Sequence, residues 1–208
     1  MRYKAVVFDY GGVIANKPNI NFDQDVSNIL SIEINLYKEA YFIYNGDFNS
    51  NIITRTQLWE KVLKKLNRLE KLNELINYID NLPSYIVNQE VINLINIIKK
   101  CGYKTGILTN RSLDSAEKMK KTLRNQEFDT ILVSSEIGYS KSDPECYRIL
   151  SEALKVNMEE IIIIDDVDHN VEIMQKIGIH PLLYIDYKTL KKQLLELLPN
   201  LTNFADIQ

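Results

Sequence analysis

The stretch that decides the fold is Val6-Val7-Phe8-Asp9-Tyr10-Gly11-Gly12-Val13, an apolar run that ends in one carboxylate followed shortly by two glycines. Such a run is typical of a buried parallel strand, and open α/β sheets bind their ligands at the carboxyl ends of their strands. Asp9 would then leave the sheet at the ligand crevice, beside glycines that let the backbone approach a ligand closely. A simple turn is the alternative interpretation, because Asp before glycine also favours turns.

Length and composition indicate an ordinary globular chain of one domain, or of a core with a modest insertion. The 208 residues are 45% hydrophobic and 25% charged, and the net charge is −3. That charge favours neither nucleic-acid binding nor a polybasic membrane anchor. The two cysteines, Cys101 and Cys146, form no CxxC pair, so zinc and redox roles are not indicated and two buried thiols are predicted.

No segment has the pattern of a secretory leader or of a membrane span. The start Met-Arg-Tyr-Lys runs straight into the first strand. No apolar run approaches the roughly 20 residues that a bilayer requires. We therefore expect a cytoplasmic protein with no nucleic-acid and no membrane partner, which works as a monomer or a homodimer.

Strand and helix patterns alternate along most of the chain. The strands predicted from apolar, β-rich runs are Ala5–Phe8, Lys104–Leu108, Thr130–Val133, Ile161–Ile164 and Pro181–Ile185. The helices predicted between and after the later runs are Ser112–Arg124, Pro144–Lys155, Asn170–Ile177 and Tyr187–Leu198. This alternation predicts an α/β fold, a Rossmann-like doubly wound parallel sheet with the first strand in the middle.

The region over residues 16–83 interrupts the alternation. It has no convincing strand, and its apolar residues recur at helical spacing. Thr54 followed by Gln57 fits a capping box at a helix start, and the stretch 45–51 is interpreted as a loop. After it, Tyr85–Lys100 is predicted as a helix that Gly102 ends. The predicted organisation is an α/β core over 1–15 and 84–208 with an inserted α-helical module over 16–83.

Polar residues also follow the later strands. Thr109 and Asn110 come after the second predicted core strand, where a hydroxyl and amides at a helix start suit an anion; simple capping by Thr109 and Ser112 is the alternative. Lys141 lies in a loop just before a helix. There it is placed to neutralise a phosphoryl group or to pair with Asp9, although a lone lysine is usually solvated.

The isoleucine run Ile161–Ile164 ends in two adjacent carboxylates, Asp165 and Asp166. Holding two carboxylates together is costly without a cation, and hard oxygen ligands at a sheet edge suit Mg²⁺. The alternative is a solvated pair followed by a helix that Asp168 caps. In a parallel sheet all of these strand-end segments converge on one crevice, and that convergence is more specific than any segment alone.

Together the segments resemble the four motifs of the haloacid dehalogenase (HAD) superfamily of phosphatases and related hydrolases. The matching stretches are Asp9-Tyr10-Gly11-Gly12-Val13, Leu108-Thr109-Asn110, Gly138-x-x-Lys141-x-Asp143-Pro144 and Asp165-Asp166-x-x-x-Asn170. The helical module resembles the small α-helical (C1-type) cap of that superfamily, with Gly46, Ile53-Thr54 and Trp59 in its usual order. The likeness covers nearly the whole chain.

The resemblance implies a hydrolase that forms a phosphoaspartyl intermediate and uses Mg²⁺ as its cofactor. Asp9 is implied as the nucleophile, and it would bind the metal together with the Gly11 carbonyl and Asp166. Asp165 is implied either as a further metal ligand or as a residue one contact removed from the metal. Asn170 is implied to orient a metal-bound water.

The resemblance also implies how the phosphoryl group is held. Thr109, the Asn110 amide and Lys141 would bind its oxygens, and Lys141 would offset the charge where two anions meet. Asp9, Thr109 and Lys141 are therefore the expected catalytic residues. The expected partner is a small phosphate ester.

One departure from the family pattern concerns the proton. Family phosphatases usually carry a second aspartate two residues after the nucleophile, which protonates the leaving oxygen, whereas this chain has Gly11 there. General acid–base help is worth about a hundred- to ten-thousandfold, so either another group supplies the proton, or the leaving group departs easily, or turnover is slow. Some family members carry a similar motif, and sugar-phosphate phosphatases are among them, which favours that substrate class. His169, Tyr44 and Asp47 are candidates for a substitute acid.

Three functions follow from these observations. The expected one is a Mg²⁺-dependent phosphatase of a small phosphorylated metabolite. A metal-independent haloacid dehalogenase is an alternative that Gly11 tolerates and the acidic pair disfavours. A non-catalytic binding protein of the same fold is the other alternative, which Gly11 alone supports. The residues expected to border the cleft are Asn16, Lys17 and Tyr44.

Overall fold

The computed structural model describes residues 2–16, 21–83 and 85–204, and side chains as far as 201. Lys17, expected at the cleft, and position 84, a predicted boundary, lie outside the described residues. The strands are β1 (Ala5–Phe8), β2 (Ala15–Asn16), β3 (Ile86–Val87), β4 (Lys104–Thr109), β5 (Thr130–Val133), β6 (Ile161–Asp165) and β7 (His180–Leu183).

Four of the described helices lie between β2 and β3, and the others follow β3 along the chain. The helices are α1 (Phe22–Leu30), α2 (Ile34–Asn49), α3 (Arg55–Lys65), α4 (Leu72–Asp80), α5 (Gln89–Lys100), α6 (Leu113–Thr122), α7 (Ser134–Ile137), α8 (Pro144–Leu154), α9 (Asp168–Lys176) and α10 (Tyr187–Leu197). Short 3₁₀ turns cover Leu69–Lys71, Met158–Glu160 and Pro199–Phe204. None of the helices in the described ranges is long and apolar enough to cross a membrane.

Five strands form one parallel sheet in the order β5-β4-β1-β6-β7, so β1 stands at the centre as predicted. Phe8 on β1 lies opposite Ile107 on β4 and Ile164 on β6. Every residue of β6 is buried, which explains its unbroken isoleucine run, because a central strand has no solvent face. The α/β, doubly wound architecture predicted from the sequence is confirmed.

Helices cover both faces of this sheet. Successive side chains of a strand point to opposite faces, and β1 follows this rule. Val6 and Phe8 join a cluster that includes residues of α5, α6 and α10, whereas Ala5 and Val7 join a second cluster with residues of α8 and α9. The sheet is therefore apolar on both sides, and polar side chains collect at the ends of its strands.

The four helices α1–α4, called here the helical insertion, have an apolar cluster of their own. Its fully buried members are Val26, Leu30, Tyr37, Ala40, Leu58, Trp59, Val62, Leu63 and Leu75. The predicted capping box is confirmed: the Gln57 N–H donates to Thr54 Oγ1 at 3.2 Å, and the Thr54 N–H donates to Gln57 Oε1 at 2.8 Å. No strand lies within the described residues 21–83. The domain boundaries at 16 and 84 stay a prediction.

Two predicted elements are wrong in part. The segment predicted to begin a helix at Tyr85 instead forms β3, which pairs antiparallel with β2. α5 begins only at Gln89, because Asn88 caps it by accepting hydrogen bonds from two backbone N–H groups of the first turn. The stretch 45–51, predicted as a loop, belongs to α2 as far as Asn49, because Phe48 packs against the apolar cluster of the insertion.

Smaller differences concern element ends and one thiol. β7 ends at Leu183 instead of Ile185, and α9 starts at Asp168 instead of Asn170. Cys146 is buried as predicted, whereas Cys101 is only half-buried; both are free. Burial raises the pKa of Cys146 to about 12 and raises the pKa of Cys101 as well, so neither thiol has a thiolate's reactivity at neutral pH.

Candidate active site

The strand-end residues predicted from the sequence meet at one edge of the sheet. Asp9 follows β1 directly, and its N–H donates to the Ile164 carbonyl at 2.8 Å, which extends the β1–β6 pairing to the nucleophile position. Thr109 is the last residue of β4, and Asp165 is the last residue of β6. Because β4 and β6 flank β1, their carboxyl ends place these side chains on either side of Asp9.

A buried ion network joins three of the predicted residues. Lys141 Nζ lies 2.7 Å from Asp9 Oδ1 and 2.6 Å from Asp165 Oδ2. The side chains of Lys141, Asp9 and Asp165 are only 3%, 10% and 0% exposed. Charges are rarely buried this deeply unless they are paired, so the network fixes the lysine against Asp9.

The loop that carries Lys141 is held from two sides. The Lys141 N–H donates to Asn110 Oδ1 at 3.0 Å, and the Tyr147 hydroxyl donates to the Lys141 carbonyl at 2.9 Å. Burial by itself lowers the pKa of Lys141, but the charges of Asp9 and Asp165 outweigh it, so the pKa stands above its ordinary value. The ammonium is therefore charged throughout the neutral range, and its charge is lost only when pH rises through that raised pKa.

Asp165 uses both carboxylate oxygens within the protein. Oδ2 accepts from Lys141, while Oδ1 accepts from the Val167 N–H and from Asn170 Nδ2, each at 3.0 Å. Asn170, expected to orient water, is placed against Asp165. The alternative in which Asp168 caps α9 is wrong, because Val167 occupies the cap position and Asp168 is already helical.

Asp166 lies against the glycine loop that follows β1. Gly12 has a φ of +94°, a conformation that strongly favours glycine, and a Cβ atom there would overlap the Asp166 carboxylate. The Gly12 N–H donates to the Ala15 carbonyl at 2.8 Å, which closes the loop. Gly12 therefore lets the loop after Asp9 lie directly against the Asp166 carboxylate.

The space beside Gly11 is filled by side chains that the sequence did not single out. A Cβ atom on Gly11 would lie 3.0 Å from Arg111 Nη2 and 3.4 Å from Tyr85 Cε1. The Arg111 guanidinium carbon is 4.6 Å from the Tyr10 ring centre and 4.4 Å from the Tyr85 ring centre. Burial raises the pKa of Tyr10, although the Arg111 charge opposes the rise, so Tyr10 stays neutral.

The other candidates are less closely tied to Asp9. Thr109 is buried at the end of β4, and Asn16 lines an open groove of about 880 Å³ together with Gly12 and Asp166. His169 and Asp47 are exposed, and the ring contact of Tyr44 is with Lys61 Nζ, 5.5 Å away. Within the described part of the chain, no hydrogen bond, ion pair or ring contact joins these last three to Asp9 or Lys141.

The groove has further walls that sequence analysis missed. Asn88, just before α5, and Tyr184, just after β7, form part of it, and Asn88 Nδ2 donates to the Tyr184 hydroxyl at 3.5 Å. The N-cap pattern at Asn88 was a usable signal for the first of these. The groove as a whole depends on β2 pairing with β3, which no local pattern predicts.

Comparisons with known proteins agree with this architecture. A family model described as haloacid dehalogenase-like hydrolase matches residues 3–178. The mouse protein named acyl-CoA dehydrogenase family member 10 is 27% identical over 207 residues, which cover 94% of this chain and 19% of that protein. The chain thus spans only about a fifth of that relative's length.

Two further matches cover most of this chain and most of the matched protein. Phosphatase MT3486 of Mycobacterium tuberculosis is 25% identical, over 83% of this chain and 82% of that protein. The HAD family enzyme bt-2542 of Bacteroides thetaiotaomicron, solved as a magnesium complex, superposes with a TM-score of 0.68 at 16% identity, over 92% of this chain and 99% of that one. At that identity the superposition shows the shared fold alone. Because the family model spans far more than half of the sequence, this chain belongs to the haloacid dehalogenase-like hydrolase family.

Proposed function

We propose that this hydrolase is a Mg²⁺-dependent phosphatase that transfers the phosphoryl group of a small phosphorylated metabolite to Asp9 and then to water. The observation that carries the proposal is the contact of Lys141 Nζ with Asp9 Oδ1 at 2.7 Å, at the carboxyl end of the central strand. A fixed cation beside a nucleophilic carboxylate is suited to an anionic substrate, since phosphoryl transfer depends chiefly on positioning and charge neutralisation. The name of the relative MT3486, a phosphatase, supports the same reaction class.

The oxygen donors beside Asp9 suit Mg²⁺. In the described residues no three carboxylate, imidazole or thiolate groups come close enough to hold a metal by themselves. Mg²⁺ does not require this, because it is commonly bound by one or two carboxylates, with water and substrate phosphate completing its octahedron. We assign the Asp9 and Asp166 carboxylates and the Gly11 carbonyl as its protein donors. The absence of a side chain at Gly12, which leaves room for the Asp166 carboxylate, fits this assignment.

Asp165 has a different role in this proposal. Its Oδ2 atom accepts a hydrogen bond from Lys141, and its Oδ1 atom accepts hydrogen bonds from Val167 and Asn170. We therefore propose that Asp165 does not bind the metal directly but lies one contact away from it. It would hold Lys141 and orient the acidic loop. When bound, Mg²⁺ would neutralise negative charge on the phosphoryl oxygens.

The chain's own residues account for the two chemical steps. The Asp9 carboxylate forms a bond to phosphorus while the bond from phosphorus to the leaving oxygen breaks, and water later cleaves the aspartyl phosphate. Lys141 holds Asp9 through Oδ1, and no described residue donates a hydrogen bond to Oδ2. We assign Oδ2 as the attacking atom. Thr109, the Asn110 amide and Lys141 would hold the phosphoryl oxygens.

The position of Gly11 limits the leaving group. No carboxylic acid stands two residues after the nucleophile, so the leaving oxygen departs without the usual proton donor. A sugar phosphate whose leaving oxygen is weakly basic, such as a glycosyl phosphate, fits this limit, and we propose that class. The two free cysteines suit a reducing compartment, and we propose the cytoplasm as the location.

The test compares wild type with Asp9→Asn on a panel of phosphate esters that includes glucose 1-phosphate and p-nitrophenyl phosphate, with Mg²⁺ and with chelator. We expect metal-dependent phosphate release that falls at least about a thousandfold in Asp9→Asn. Asp80→Asn, the same change at a half-exposed position of α4, serves as the matched control and should keep wild-type rates.

Two other results would replace the proposal. Halide release from small haloacids that is indifferent to chelator would identify a dehalogenase. Thermal stabilisation by phosphate esters without any product would identify a binding protein, and Gly11 would be its cause.

A further inference from the structure

Arg111 lies next to the loop that follows Asp9, and the described residues give this cation no carboxylate partner. Its guanidinium rests on the rings of Tyr10 and Tyr85, whose centres lie 4.6 and 4.4 Å from the guanidinium carbon. Among the described residues it makes no ion pair, and its buried Nε atom has no hydrogen-bond acceptor. A buried donor left unsatisfied costs free energy, so a guanidinium in this state is prepared for an acceptor that the protein does not supply.

Lys141 provides the contrast within the same site. It lies between the carboxylates of Asp9 and Asp165, so its charge is already balanced before any ligand arrives. Arg111 lies beside Gly11, with Nη2 only 3.0 Å from the point where a side chain on residue 11 would begin. Of these two cations, only Arg111 lacks a carboxylate partner among the described residues, so it is the one available to a further anionic group of a ligand held at Asp9.

The chemistry of guanidinium decides what Arg111 can do there. It stays protonated at every pH that a protein survives, so it cannot replace the proton donor missing at Gly11. It instead offers a planar set of N–H donors whose geometry matches a carboxylate or a phosphate. The two tyrosine rings keep this fork in one place, which lowers the entropy lost when it binds an oxyanion.

We propose that Arg111 determines specificity by binding a second oxyanion of the substrate, a carboxylate or a second phosphate close to the phosphoryl group that is transferred. The proposal rests on the phosphatase function proposed above. It narrows the substrate class from sugar phosphates in general to those whose leaving group carries an acidic group of its own. Arg111 would touch the substrate but not the reacting atoms.

The experiment uses two matched sets of substrates and the full-length protein with Mg²⁺. The first set is ethyl phosphate, phosphoglycolate and ethylene glycol bisphosphate, and the second is glycerol phosphate, phosphoglycerate and glycerol bisphosphate. Each set has a member without a second acid, one with a carboxylate and one with a second phosphate, so it separates the two sources of oxyanion. The variants are Arg111→Gln, Arg111→Lys and, as a control, Arg124→Gln, which removes an exposed arginine just after α6.

We expect wild type to prefer an acidic member in at least one set. Arg111→Gln should lower kcat/KM for that member about ten- to a hundredfold more than for its neutral counterpart, the range expected for hydrogen bonds to a charged group. Arg111→Lys keeps the charge without the fork and should retain part of the preference. Arg124→Gln should keep all of it. Comparing variants on the same substrate cancels differences in leaving-group reactivity.

Three results would overturn the inference. They are a wild type without preference in either set, a preference that survives in Arg111→Gln, and a loss in Arg111→Gln that is equal for all members. The equal loss would mean that Arg111 serves the transferred phosphoryl group or only the packing of the tyrosines. Thermal unfolding of each variant, Arg111→Lys included, shows whether the substitution leaves the fold intact.

Failure of the phosphatase function looks different. In that case wild type releases no phosphate from any substrate, p-nitrophenyl phosphate included. The inference is then judged by calorimetric binding of phosphoglycolate against ethyl phosphate, where a preference that depends on Arg111 supports it and equal affinities overturn it.

Discussion

The sheet-bearing core and the helical insertion keep their charged groups in different places. In the core, Lys141, Asp9 and Asp165 form an ion network whose side chains are at most 10% exposed. In the insertion the interior is apolar, and the polar contacts lie at its margin: Tyr37 donates to Asp23, a carboxylate that is 41% exposed, and Lys38 pairs with the same group at 2.9 Å.

The buried charges of the core and the exposed polar contacts of the insertion have different roles. A buried ion pair stabilises a fold little, because removing charges from water costs about as much as their attraction returns. The core network is therefore better explained by the role proposed for Asp9, a charged nucleophile held beside a cation. The margin contacts of the insertion tie α1 to α2 and, through Tyr78 and Asp25 at 2.6 Å, α1 to α4. Their role is to hold a small apolar cluster together.

Lys141→Met should show the largest effect, because it leaves two buried carboxylates without their cation. We expect the free energy of unfolding to fall by about 3–5 kcal/mol and phosphate release to be lost. Lys38→Met is the matched change at the margin of the insertion, where the lysine is 39% exposed, and should cost less than about 1 kcal/mol. Urea unfolding of both variants measures the contrast, and equal losses would contradict it.

Gly12→Ala and Gly46→Ala place the same methyl group in the two regions. At Gly12, where φ is +94°, the methyl would overlap Asp166, so we expect a loss of about 1–2 kcal/mol from backbone strain and a higher Mg²⁺ requirement for phosphate release. At Gly46, in the interior of α2, the methyl meets nothing within 4 Å and should stabilise by about 0.5–1 kcal/mol. A Mg²⁺ titration of phosphate release and urea unfolding test these expectations. An unchanged Mg²⁺ requirement in Gly12→Ala would mean that Asp166 is not part of the proposed metal site.

The sequence predicted the sheet well because its evidence is local. The three central strands, β1, β4 and β6, are apolar runs that a polar residue ends or directly follows, so their positions and the meeting of Asp9, Thr109 and Asp165 at one edge could be predicted without knowing any long-range contact. The helix end at Asn49 could not, because α2 continues past an Asn-rich stretch only where Phe48 packs on the insertion's cluster.

The unpredicted half of the site depends on one non-local pairing. β3 exists because Ile86 and Val87 pair with Asn16 and Ala15, some seventy residues earlier in the chain. That pairing sets the path of the chain next to Tyr85, and Tyr85 holds Arg111 beside Gly11. Local periodicity around Tyr85 resembles a helix, so the partner of Arg111 was hidden from sequence analysis, although Arg111 itself follows directly on the predicted anion site.

Tyr37→Phe should show the smallest effect and tests the insertion's margin directly. The hydrogen bond from Tyr37 lowers the pKa of Asp23, against a smaller opposing effect of burial and with further help from Lys38. Removing the hydroxyl should cost about 1 kcal/mol at neutral pH. A carboxyl with a lowered pKa stabilises the fold above its unfolded pKa, near 4, and this contribution is lost as pH falls through the folded value.

The difference in unfolding free energy between wild type and Tyr37→Phe should therefore shrink between pH 7 and pH 3, measured by urea unfolding at each pH. Tyr41→Phe is the matched control, because it lies on the same helix and its hydroxyl has no hydrogen-bond partner in the described structure. Its effect should be the same at both pH values. A Tyr37→Phe difference that is independent of pH would mean that the ring, and not the contact with Asp23, stabilises the insertion, and the contrast between the two regions would then rest on the core alone.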